Sequence, residues 1–272
     1  MANKVWFITG ASRGFGSLIA RDALARGDYV VATARNAHSV TEALGNHPNL
    51  LAVQLDVTKE AAAIVAAQQA LERFGRIDVL VNNAGYGLLG AVEEASADEV
   101  RKQYETNVFG LLNVTRAVLP QMRKQRSGHV INISSIGGYS AYYGWGVYGS
   151  TKFAVEGLSE GLAAELAPLG IHVTVVEPGF FRTDFLDGSS VRYGARTVAD
   201  YPRADYESYN HQQPGDPAKL GRAIVQVATM SEPPLHFLAG TDAVKYATDA
   251  FERRRAEVDS HAALSVTTDI DR

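Results

Sequence analysis

Short β-rich runs alternate with longer helical patterns from the start of the sequence to about residue 240, and this alternation constrains the fold more than any other feature. Parallel strands need a crossover connection, which a helix between consecutive strands provides. The pattern therefore predicts an α/β fold, a Rossmann-type, doubly wound parallel sheet of seven strands with helices on both faces. The predicted strands are Lys4–Thr9, Tyr29–Ala34, Leu50–Leu55, Val79–Asn82, Val130–Ser134, His172–Glu177 and His236–Ala239, and the predicted helices are Phe15–Arg26, Lys59–Phe74, Ala97–Arg126, Ser150–Leu166 and Pro217–Met230.

Two segments interrupt this alternation. Residues 184–215 are rich in Tyr, Gly, Pro, Arg and Asp without clear periodicity, which is typical of a substrate lid or of a mobile surface loop. Beyond Thr241 the sequence predicts a charged helix, Asp242–Val258, and then a polar tail, residues 259–272. Because the predicted sheet occupies most of the 272 residues, we expect one domain over residues 1–272, not two.

Composition and charge exclude several classes of function. The chain has no cysteine, so a thiolate nucleophile, a disulfide, an iron–sulfur cluster and a thiolate zinc site are excluded. The seven histidines show no metal-ligand spacing such as HExxH, and no metal site is predicted. The 26 basic and 30 acidic residues are scattered, without the basic stripe that a nucleic-acid partner requires.

Neither a membrane helix nor a signal peptide is expected. The longest uncharged stretch, Val130–Thr151, contains glycines, serines and an asparagine, unlike a membrane-spanning helix. The first predicted strand begins almost at Met1, which leaves no room for the charged and apolar regions of a signal peptide. We therefore expect a cytoplasmic protein that is not bound to a membrane.

A glycine-rich turn, TGASRGFG, joins the first predicted strand to the first helix. Glycines at such a turn allow the backbone to approach a pyrophosphate closely, and the helix N-terminus favours its negative charge. The alternative is a turn without a ligand. The dinucleotide-binding interpretation assigns cofactor contacts to Gly10, Ser12, Arg13, Gly14, Phe15 and Gly16.

The residue after the second predicted strand indicates which dinucleotide binds. A protein that prefers NAD usually has an acidic residue there to bind the ribose 2′-hydroxyl, whereas this chain has Arg35. A guanidinium offers a planar set of donors to phosphate oxygens, so Arg35, together with Arg13, would neutralise the 2′-phosphate of NADP. We predict NADP(H) as the cofactor, and the alternative is that Arg35 is an ordinary solvated arginine.

Further motifs follow along the chain. They are Asn82-Asn83-Ala84-Gly85 at the end of the fourth predicted strand, Asn107 inside a predicted helix, Ser135 after the fifth strand, and Tyr148 with Lys152 in a YxxxK pattern at the start of a helix. In order and spacing, these motifs and the glycine-rich turn resemble the short-chain dehydrogenase/reductase family of compact, single-domain type, over about residues 4–183. The segments VVATARN, NNAGYGLLGAVEE, PGFFRTDF and QPGDPAKLGRAI are similar to the subgroup labelled 17β-hydroxysteroid-dehydrogenase-like, which implies NADP(H)-linked carbonyl reduction.

The proposed chemistry follows from the residue types. Tyr148 and Lys152 are four residues apart and project from one helix face. An adjacent ammonium favours a phenolate and lowers its pKa from the usual value near 10, so Tyr148 is predicted to exchange a proton with a substrate oxygen. Ser135 would hydrogen-bond the same oxygen and hold the carbonyl in place. The resemblance implies that Lys152 also binds the nicotinamide ribose and that Asn107 supports a water that relays protons to it. Singly, each residue also has an ordinary structural interpretation.

The remaining site predictions concern the rest of the cofactor and the substrate. The resemblance implies further cofactor contacts, although Asp56 is also a routine turn residue. Aromatic and apolar residues are expected to line the substrate pocket, which suits a bulky hydrophobic or aromatic substrate, and some of them could instead be core residues. The further cofactor contacts are Asp56, Val57, Asn83, Ala84, Gly85, Pro178, Gly179 and Thr183. The residues assigned to substrate binding are Tyr142, Trp145, Phe180 and Phe185. The other predicted pocket residues are Tyr139, Tyr143, Phe181 and Leu186.

Together these features predict an NADP(H)-dependent oxidoreductase that interconverts a secondary alcohol and a ketone, with Tyr148 as the acid/base. One alternative is an NADP(H)-binding redox sensor or scaffold without turnover, and another keeps the fold but catalyses dehydration or epimerisation. The expected partner is a small hydrophobic carbonyl or alcohol substrate. The resemblance also implies a homodimer or homotetramer that pairs through the helices Ala97–Arg126 and Ser150–Leu166.

Overall fold

The computed structural model describes residues 3–188, 190–202, 206 and 208–270. Seven strands in this part of the chain form one parallel sheet in the order β3-β2-β1-β4-β6-β7-β9, which confirms the predicted fold class. Two short strands, β5 and β8, pair separately. The strands are β1 (Val5–Thr9), β2 (Tyr29–Ala34), β3 (Leu50–Gln54), β4 (Val79–Asn82), β5 (Gly87–Leu89), β6 (Gly128–Ile133), β7 (Ile171–Pro178), β8 (Val191–Tyr193) and β9 (His236–Ala239).

Helices cover both faces of the sheet, so the central strands are apolar on both sides. Side chains alternate between the two faces of a strand: Trp6 and Ile8 of β1 belong to one core, and Phe7 belongs to the other. The first core includes residues of α1 and α7, and the second includes residues of α3 and α5. The helices are α1 (Gly14–Ala25), α2 (Ala37–Leu44), α3 (Glu60–Phe74), α4 (Ala97–Tyr104), α5 (Gly110–Gln125), α6 (Gly146–Leu166), α7 (Pro217–Val227) and α8 (Thr241–Ser265).

The sheet also determines where a ligand can bind. The strand order reverses between β1 and β4. After β1, the chain adds β2 and β3 on one side of β1, and then it crosses to the other side of β1 to add β4. In an open parallel sheet, ligands bind beyond the carboxyl ends of the strands at such a reversal. The glycine-rich turn follows β1 and the motif Asn82-Asn83-Ala84-Gly85 begins at the end of β4, so both lie at this position.

The helix predicted over Ala97–Arg126 is not continuous. A π-helical turn, Glu105–Phe109, separates α4 from α5. Single π-turns widen a helix locally and are often found at functional sites. Asn107 lies in this turn, and its side chain is hydrogen-bonded to the main chain of Tyr86, a tertiary contact that helical periodicity cannot reveal.

Two other helices differ from the prediction at their start. The sequence analysis did not predict α2, a short helix whose N-cap Asn36 accepts a hydrogen bond from the His38 amide at 3.0 Å. The helix predicted from Ser150 begins at Gly146. Tyr148 therefore lies in the first turn of α6, with its side chain near the carboxyl edge of the sheet.

The segment predicted as a lid or loop, residues 184–215, contains regular structure. β8 pairs in parallel with β5, which places Gly87 opposite Val191 and Leu89 opposite Tyr193. Neither strand was predicted, because each has only three residues and no recognisable period. Residues 189, 203–205 and 207 lie outside the described residues, and the role of the segment as a lid stays a prediction.

The C-terminal helix is longer than predicted. α8 runs to Ser265 and is followed by a 3₁₀ turn, Val266–Thr268, so a helix replaces the first part of the expected polar tail. An ion pair between Arg255 and Asp259, four residues apart with N to O at 2.9 Å, favours this extension. Residues 271–272 of the tail lie outside the described part of the chain. Within that part, the helices include none with the length and apolar character needed to cross a membrane.

Candidate active site

One large cleft, with a volume of about 1160 Å³, lies at the carboxyl ends of the central strands. Its walls contain nearly all of the residues that the sequence assigned to cofactor, catalysis and substrate. Among the residues assigned to cofactor binding and catalysis, Asn107 and Gly16 are not part of the wall. The predicted residues that line the cleft are Gly10, Ser12, Arg13, Gly14, Phe15, Arg35, Asp56, Val57, Asn83, Ala84, Gly85, Ser135, Tyr142, Trp145, Tyr148, Lys152, Pro178, Gly179, Phe180, Phe181, Thr183, Phe185 and Leu186.

The glycine-rich turn requires glycine at specific points. Gly10 has a φ of +64°, in the left-handed region that favours glycine. At Gly16 a Cβ would lie 2.4 Å from the carbonyl oxygen of Gly10 and 2.6 Å from the Asn83 side-chain nitrogen. The Asn83 amide in turn donates to the carbonyl oxygens of Thr9 and Gly10 at 2.9 and 3.0 Å. Gly16 and Asn83 thus brace the turn, and the absence of a Cβ leaves a cradle that fits a pyrophosphate.

The two arginines predicted to bind a 2′-phosphate have different surroundings. Arg35 directly follows β2, is exposed, and lines the cleft. Within the described residues its guanidinium has no hydrogen bond or ion pair. Arg13 instead donates from Nη2 to the Ser190 hydroxyl at 2.8 Å, which connects the turn to the segment before β8. Arg35 is therefore an exposed cation in the cleft wall that has no partner within the described residues.

Asp56 lines the cleft but also holds its own turn. Its Oδ1 accepts hydrogen bonds from the Thr58 amide at 3.0 Å and from the Thr58 hydroxyl at 2.8 Å. Such a side-chain turn is the ordinary structural role of an aspartate after a strand. The predicted contact of Asp56 with the adenine and its structural role are therefore compatible.

Tyr148 and Ser135 meet in the buried part of the cleft. Tyr148 is only 5% exposed, and this burial raises the pKa of its phenol well above the usual value, while the Ser135 hydroxyl beside it favours the phenolate. The Gly137 amide donates to the Ser135 Oγ at 3.1 Å, so the Ser135 hydroxyl hydrogen can be donated to Tyr148 or to a ligand. The sequence expectation that Lys152 lowers the Tyr148 pKa is not met in this structure, because burial dominates the shift and the Lys152 charge is not among its causes.

Lys152 is buried beneath Tyr148. Its Nζ donates to the Ile133 carbonyl oxygen at 2.9 Å and lies 5.5 Å from the centre of the Tyr148 ring. Burial lowers the pKa of Lys152 to about 8, and the nearby Glu156 partly opposes that shift. Near physiological pH, both the charged ammonium and the neutral amine of Lys152 are therefore populated.

Asn107 supports the site from behind the wall. Its Nδ2 donates to the Tyr86 carbonyl oxygen at 3.0 Å and to the Thr151 hydroxyl at 3.1 Å, and its Oδ1 accepts from the Tyr86 amide. A Cβ at Gly85 would lie 3.2 Å from the Asn107 Oδ1 and 4.0 Å from the Lys152 Nζ. Asn107 thus lies close to Lys152 and joins α6 to the loop after β4. The water relay assigned to it stays a prediction.

Aromatic rings enclose the catalytic end of the cleft. The Trp145 ring stacks on Phe185 with centres 6.4 Å apart and meets Tyr148 edge to face at 5.3 Å. Tyr206 also packs edge to face on Trp145 at 5.3 Å, although the irregular sequence around it gave no reason to select it. Tyr142 packs against Trp145 and Phe180. The cleft residues that the sequence did not indicate include Tyr86, Leu88 and Arg192.

Two tyrosines predicted in the pocket wall lie elsewhere. Tyr139 donates its hydroxyl hydrogen to the Glu177 Oε1 at 3.1 Å, and Tyr143 donates to the Pro202 carbonyl oxygen at 2.7 Å. Neither lines the cleft, so this part of the prediction is wrong. The residues around them form a 3₁₀ turn, a second turn at residues 143–144 and the start of α6, so the chain changes direction several times and neighbouring side chains point to different sides.

A family model described as short chain dehydrogenase matches residues 4–192. Oxidoreductase BOA17 of Botryotinia fuckeliana is 40% identical over 97% of this chain and 99% of its own length. The 3-ketodihydrosphingosine reductase of Bacteroides thetaiotaomicron is 39% identical over 88% of this chain and 89% of its own length. Among solved structures, a short-chain dehydrogenase from Streptomyces avermitilis has 43% identity and a TM-score of 0.92, and the match covers 99% of this chain and 100% of that one.

Two similar structures contain a nicotinamide dinucleotide. A short-chain dehydrogenase/reductase from Burkholderia phymatum in complex with NAD is 26% identical, with a TM-score of 0.76 over 86% of this chain and 88% of that one. ElxO with NADP bound is 30% identical, with a TM-score of 0.74 over 87% and 96%. The cleft, the glycine turn and these likenesses together support a nicotinamide dinucleotide cofactor. The chain therefore belongs to the short-chain dehydrogenase family of oxidoreductases.

Proposed function

We propose that the protein is an NADP(H)-dependent oxidoreductase that interconverts a secondary alcohol and a ketone on a bulky hydrophobic or aromatic substrate. The observation that carries this proposal is the position of Ser135, Tyr148 and Lys152 in one wall of an aromatic cleft that also contains the glycine-rich turn. The similar reductase of Bacteroides thetaiotaomicron is named for a 3-keto substrate, which favours a ketone here. The 17β-hydroxysteroid-dehydrogenase-like subgroup is part of the same proposal.

Tyr148 acts as the proton donor during reduction. The bound nicotinamide supplies the hydride or accepts it. Ser135 donates its hydroxyl hydrogen to the substrate oxygen and holds the carbonyl in place. Because burial raises the Tyr148 pKa, the phenol stays protonated at neutral pH, which suits an acid, and the charge on Lys152 stabilises the phenolate that remains after transfer. The reverse reaction needs the phenolate, so it is favoured at higher pH.

The preference for NADP(H) is proposed on the surroundings of Arg35. This guanidinium is exposed, lines the cleft, and is unpaired within the described residues. The position after β2 holds no carboxylate that would repel a 2′-phosphate. A free guanidinium can form charge-assisted, bidentate hydrogen bonds with a phosphate.

The hydrophobic substrate is proposed on the aromatic enclosure. Trp145, Tyr142, Phe180 and Phe185 surround the position next to Tyr148. Aromatic rings contribute large apolar contact areas with few fixed charges, and such walls favour an uncharged ring system or a long apolar chain over a small polar ketone.

The central test replaces Tyr148 by phenylalanine, which removes the hydroxyl and keeps the ring. We expect Tyr148→Phe to bind NADPH as before and to lose turnover by about 10²- to 10⁴-fold on a panel of hydrophobic ketones and aromatic alcohols. Tyr143→Phe is the matched control, because that tyrosine is exposed and outside the cleft. Full activity of Tyr148→Phe would contradict the acid/base role.

The same panel separates the enzyme from a redox sensor or scaffold. Tight NADPH binding by the unaltered protein without turnover on any substrate would favour the sensor. The cytoplasmic location, the single domain over residues 1–272, the small-molecule partner and the homodimer or homotetramer stay predictions.

A further inference from the structure

A second group of reactive side chains lies outside the cleft, on α6, β7 and β9. It consists of Glu156, Glu177 and His236, which we call the Glu-Glu-His cluster. None of the three lines the cleft. One potential ligand atom from each residue lies within 4.8 Å of the other two. Glu156 is near enough to Lys152 to act on its pKa, but the inference drawn from the cluster does not depend on the proposed activity.

Two carboxyl groups of the cluster are buried near each other, and this burial raises the pKa of both. Glu177 is 0% and Glu156 is 8% exposed, while His236 reaches the surface. His236 Nδ1 lies 2.7 Å from the Glu177 Oε1 and 3.6 Å from the Glu156 Oε2. Within the described residues, both oxygens of Glu156 and the Oε2 of Glu177 have no hydrogen-bond partner. Buried carboxylates are normally paired, protonated or bound to a metal, so three buried oxygens are available to a cation.

The groups around the cluster resemble the outer shell of a metal site. Tyr139 donates to the Glu177 Oε1 at 3.1 Å, which orients the carboxylate and leaves Oε2 available. The other ring nitrogen of His236, Nε2, lies 3.7 Å from the Glu160 Oε1. A histidine that binds a metal usually directs its second nitrogen to a carboxylate or another acceptor, which fixes the ring orientation. The Tyr139 hydroxyl also lies 3.3 Å from His236 Nδ1, so it contacts both Glu177 and His236.

We propose that the Glu-Glu-His cluster binds a divalent transition-metal ion, Zn²⁺ in the first place. One imidazole nitrogen and two carboxylates are ligands that Zn²⁺ accepts, with water completing the coordination. Mg²⁺ prefers oxygen ligands in octahedral geometry and keeps several waters, so the imidazole and the lack of exposed carboxylate oxygens disfavour it. The ion would connect α6, the helix that carries Tyr148 and Lys152, to β7 and β9. Its role is therefore to stabilise the fold behind the active site.

The test is a Zn²⁺ titration of the full-length protein after treatment with a chelator, by calorimetry and by thermal unfolding. We expect one saturable equivalent of Zn²⁺ and a higher Tm in its presence, with no comparable Tm increase from Mg²⁺. Glu177→Gln and His236→Gln remove one ligand each and should weaken binding by more than about 10-fold. Both measurements are made without substrate or dinucleotide, so their outcome is independent of the proposed oxidoreductase activity.

His38→Gln is the matched control. His38 and Glu42 form an exposed pair on α2 with N to O at 3.2 Å, the kind of surface pair that binds Zn²⁺ adventitiously. Removal of this pair should leave the affinity of the protein for Zn²⁺ unchanged. Glu177→Gln is nearly isosteric and removes a buried charge. If this variant fails to fold, the Zn²⁺ affinity of His236→Gln alone tests the proposal. The proposal is overturned if no saturable equivalent binds, if Mg²⁺ stabilises equally, or if His38→Gln abolishes binding that the cluster variants keep.

Discussion

Gly16→Ala should show how tightly the glycine-rich turn is packed, and Gly157→Ala provides the comparison. Both glycines lie within helices, Gly16 in α1 and Gly157 in α6. Alanine is favoured over glycine in a helix interior by about 0.5–1 kcal/mol, so this contribution is common to the two variants. A Cβ at Gly157 meets nothing within 4 Å, and Gly157→Ala should increase the free energy of unfolding by that amount.

The surroundings of Gly16 add a cost. Its Cβ would lie 2.4 Å from the Gly10 carbonyl oxygen and 2.6 Å from the Asn83 nitrogen, well inside van der Waals contact. Backbone must therefore shift, and overpacking of this kind costs about 1–3 kcal/mol. Because the helix term cancels, we expect Gly16→Ala to be less stable than Gly157→Ala by that same ~1–3 kcal/mol.

The shift also displaces the cradle, so the affinity for NADPH should fall in Gly16→Ala and stay unchanged in Gly157→Ala. Urea unfolding measures the first difference, and a fluorescence titration with NADPH measures the second. If the two variants are equally stable and bind NADPH equally well, the turn can relax freely, and the argument that a close backbone approach fixes its shape is refuted.

Two further variants test the cofactor choice and the acid stability. Arg35→Asp should weaken NADPH binding by about 10- to 100-fold through the loss of charge-assisted hydrogen bonds, and it should affect NADH binding much less. Fluorescence titrations with each dinucleotide measure the two affinities. Equal binding of NADPH and NADH by the unaltered protein would refute the preference. Burial lowers the pKa of His129, whose Nε2 contacts the Thr174 hydroxyl at 2.8 Å, from 6.5 to about 3. At pH values between these two pKa values, His129 binds a proton in the unfolded chain but not in the folded protein. The free energy of unfolding therefore falls by up to ~1.4 kcal/mol per pH unit as the pH decreases. His129→Gln should flatten this dependence in urea unfolding from pH 7 to 4. The same change at the exposed His261 should not, and equal slopes for the two variants would contradict the assignment.

The main sheet could be predicted because its strands carry a local signal. The run Val5–Thr9 is apolar at every position but the last, since both faces of β1 are covered, and it is followed by a glycine turn. The motif spacing also predicted that Ser135, Tyr148 and Lys152 would line one cleft with the glycine-rich turn. These features depend on residues close together in the chain or on the common edge of a parallel sheet.

The rest depends on contacts between distant segments. The π-turn at Asn107 follows hydrogen bonds to Tyr86 and Thr151, which no helical period records. The spacing of Tyr148 and Lys152 predicts their proximity but not their burial, and burial is what raises the phenol pKa. The Glu-Glu-His cluster joins residues from one helix and two strands, so no spacing in the sequence indicates it.

The two ends of the cleft differ in how firmly the fold holds them. The glycine-rich turn continues from β1, which is paired on both sides and packed into both cores. Much of the aromatic end depends on residues 184–215, whose regular pairing with the loop after β4 is, in the described part of the chain, limited to the three residues each of β5 and β8. Substitutions in that segment can reshape this end of the cleft at little cost to the sheet. Under the proposed function, one dinucleotide-binding scaffold can therefore acquire new substrates by changes in a single peripheral segment.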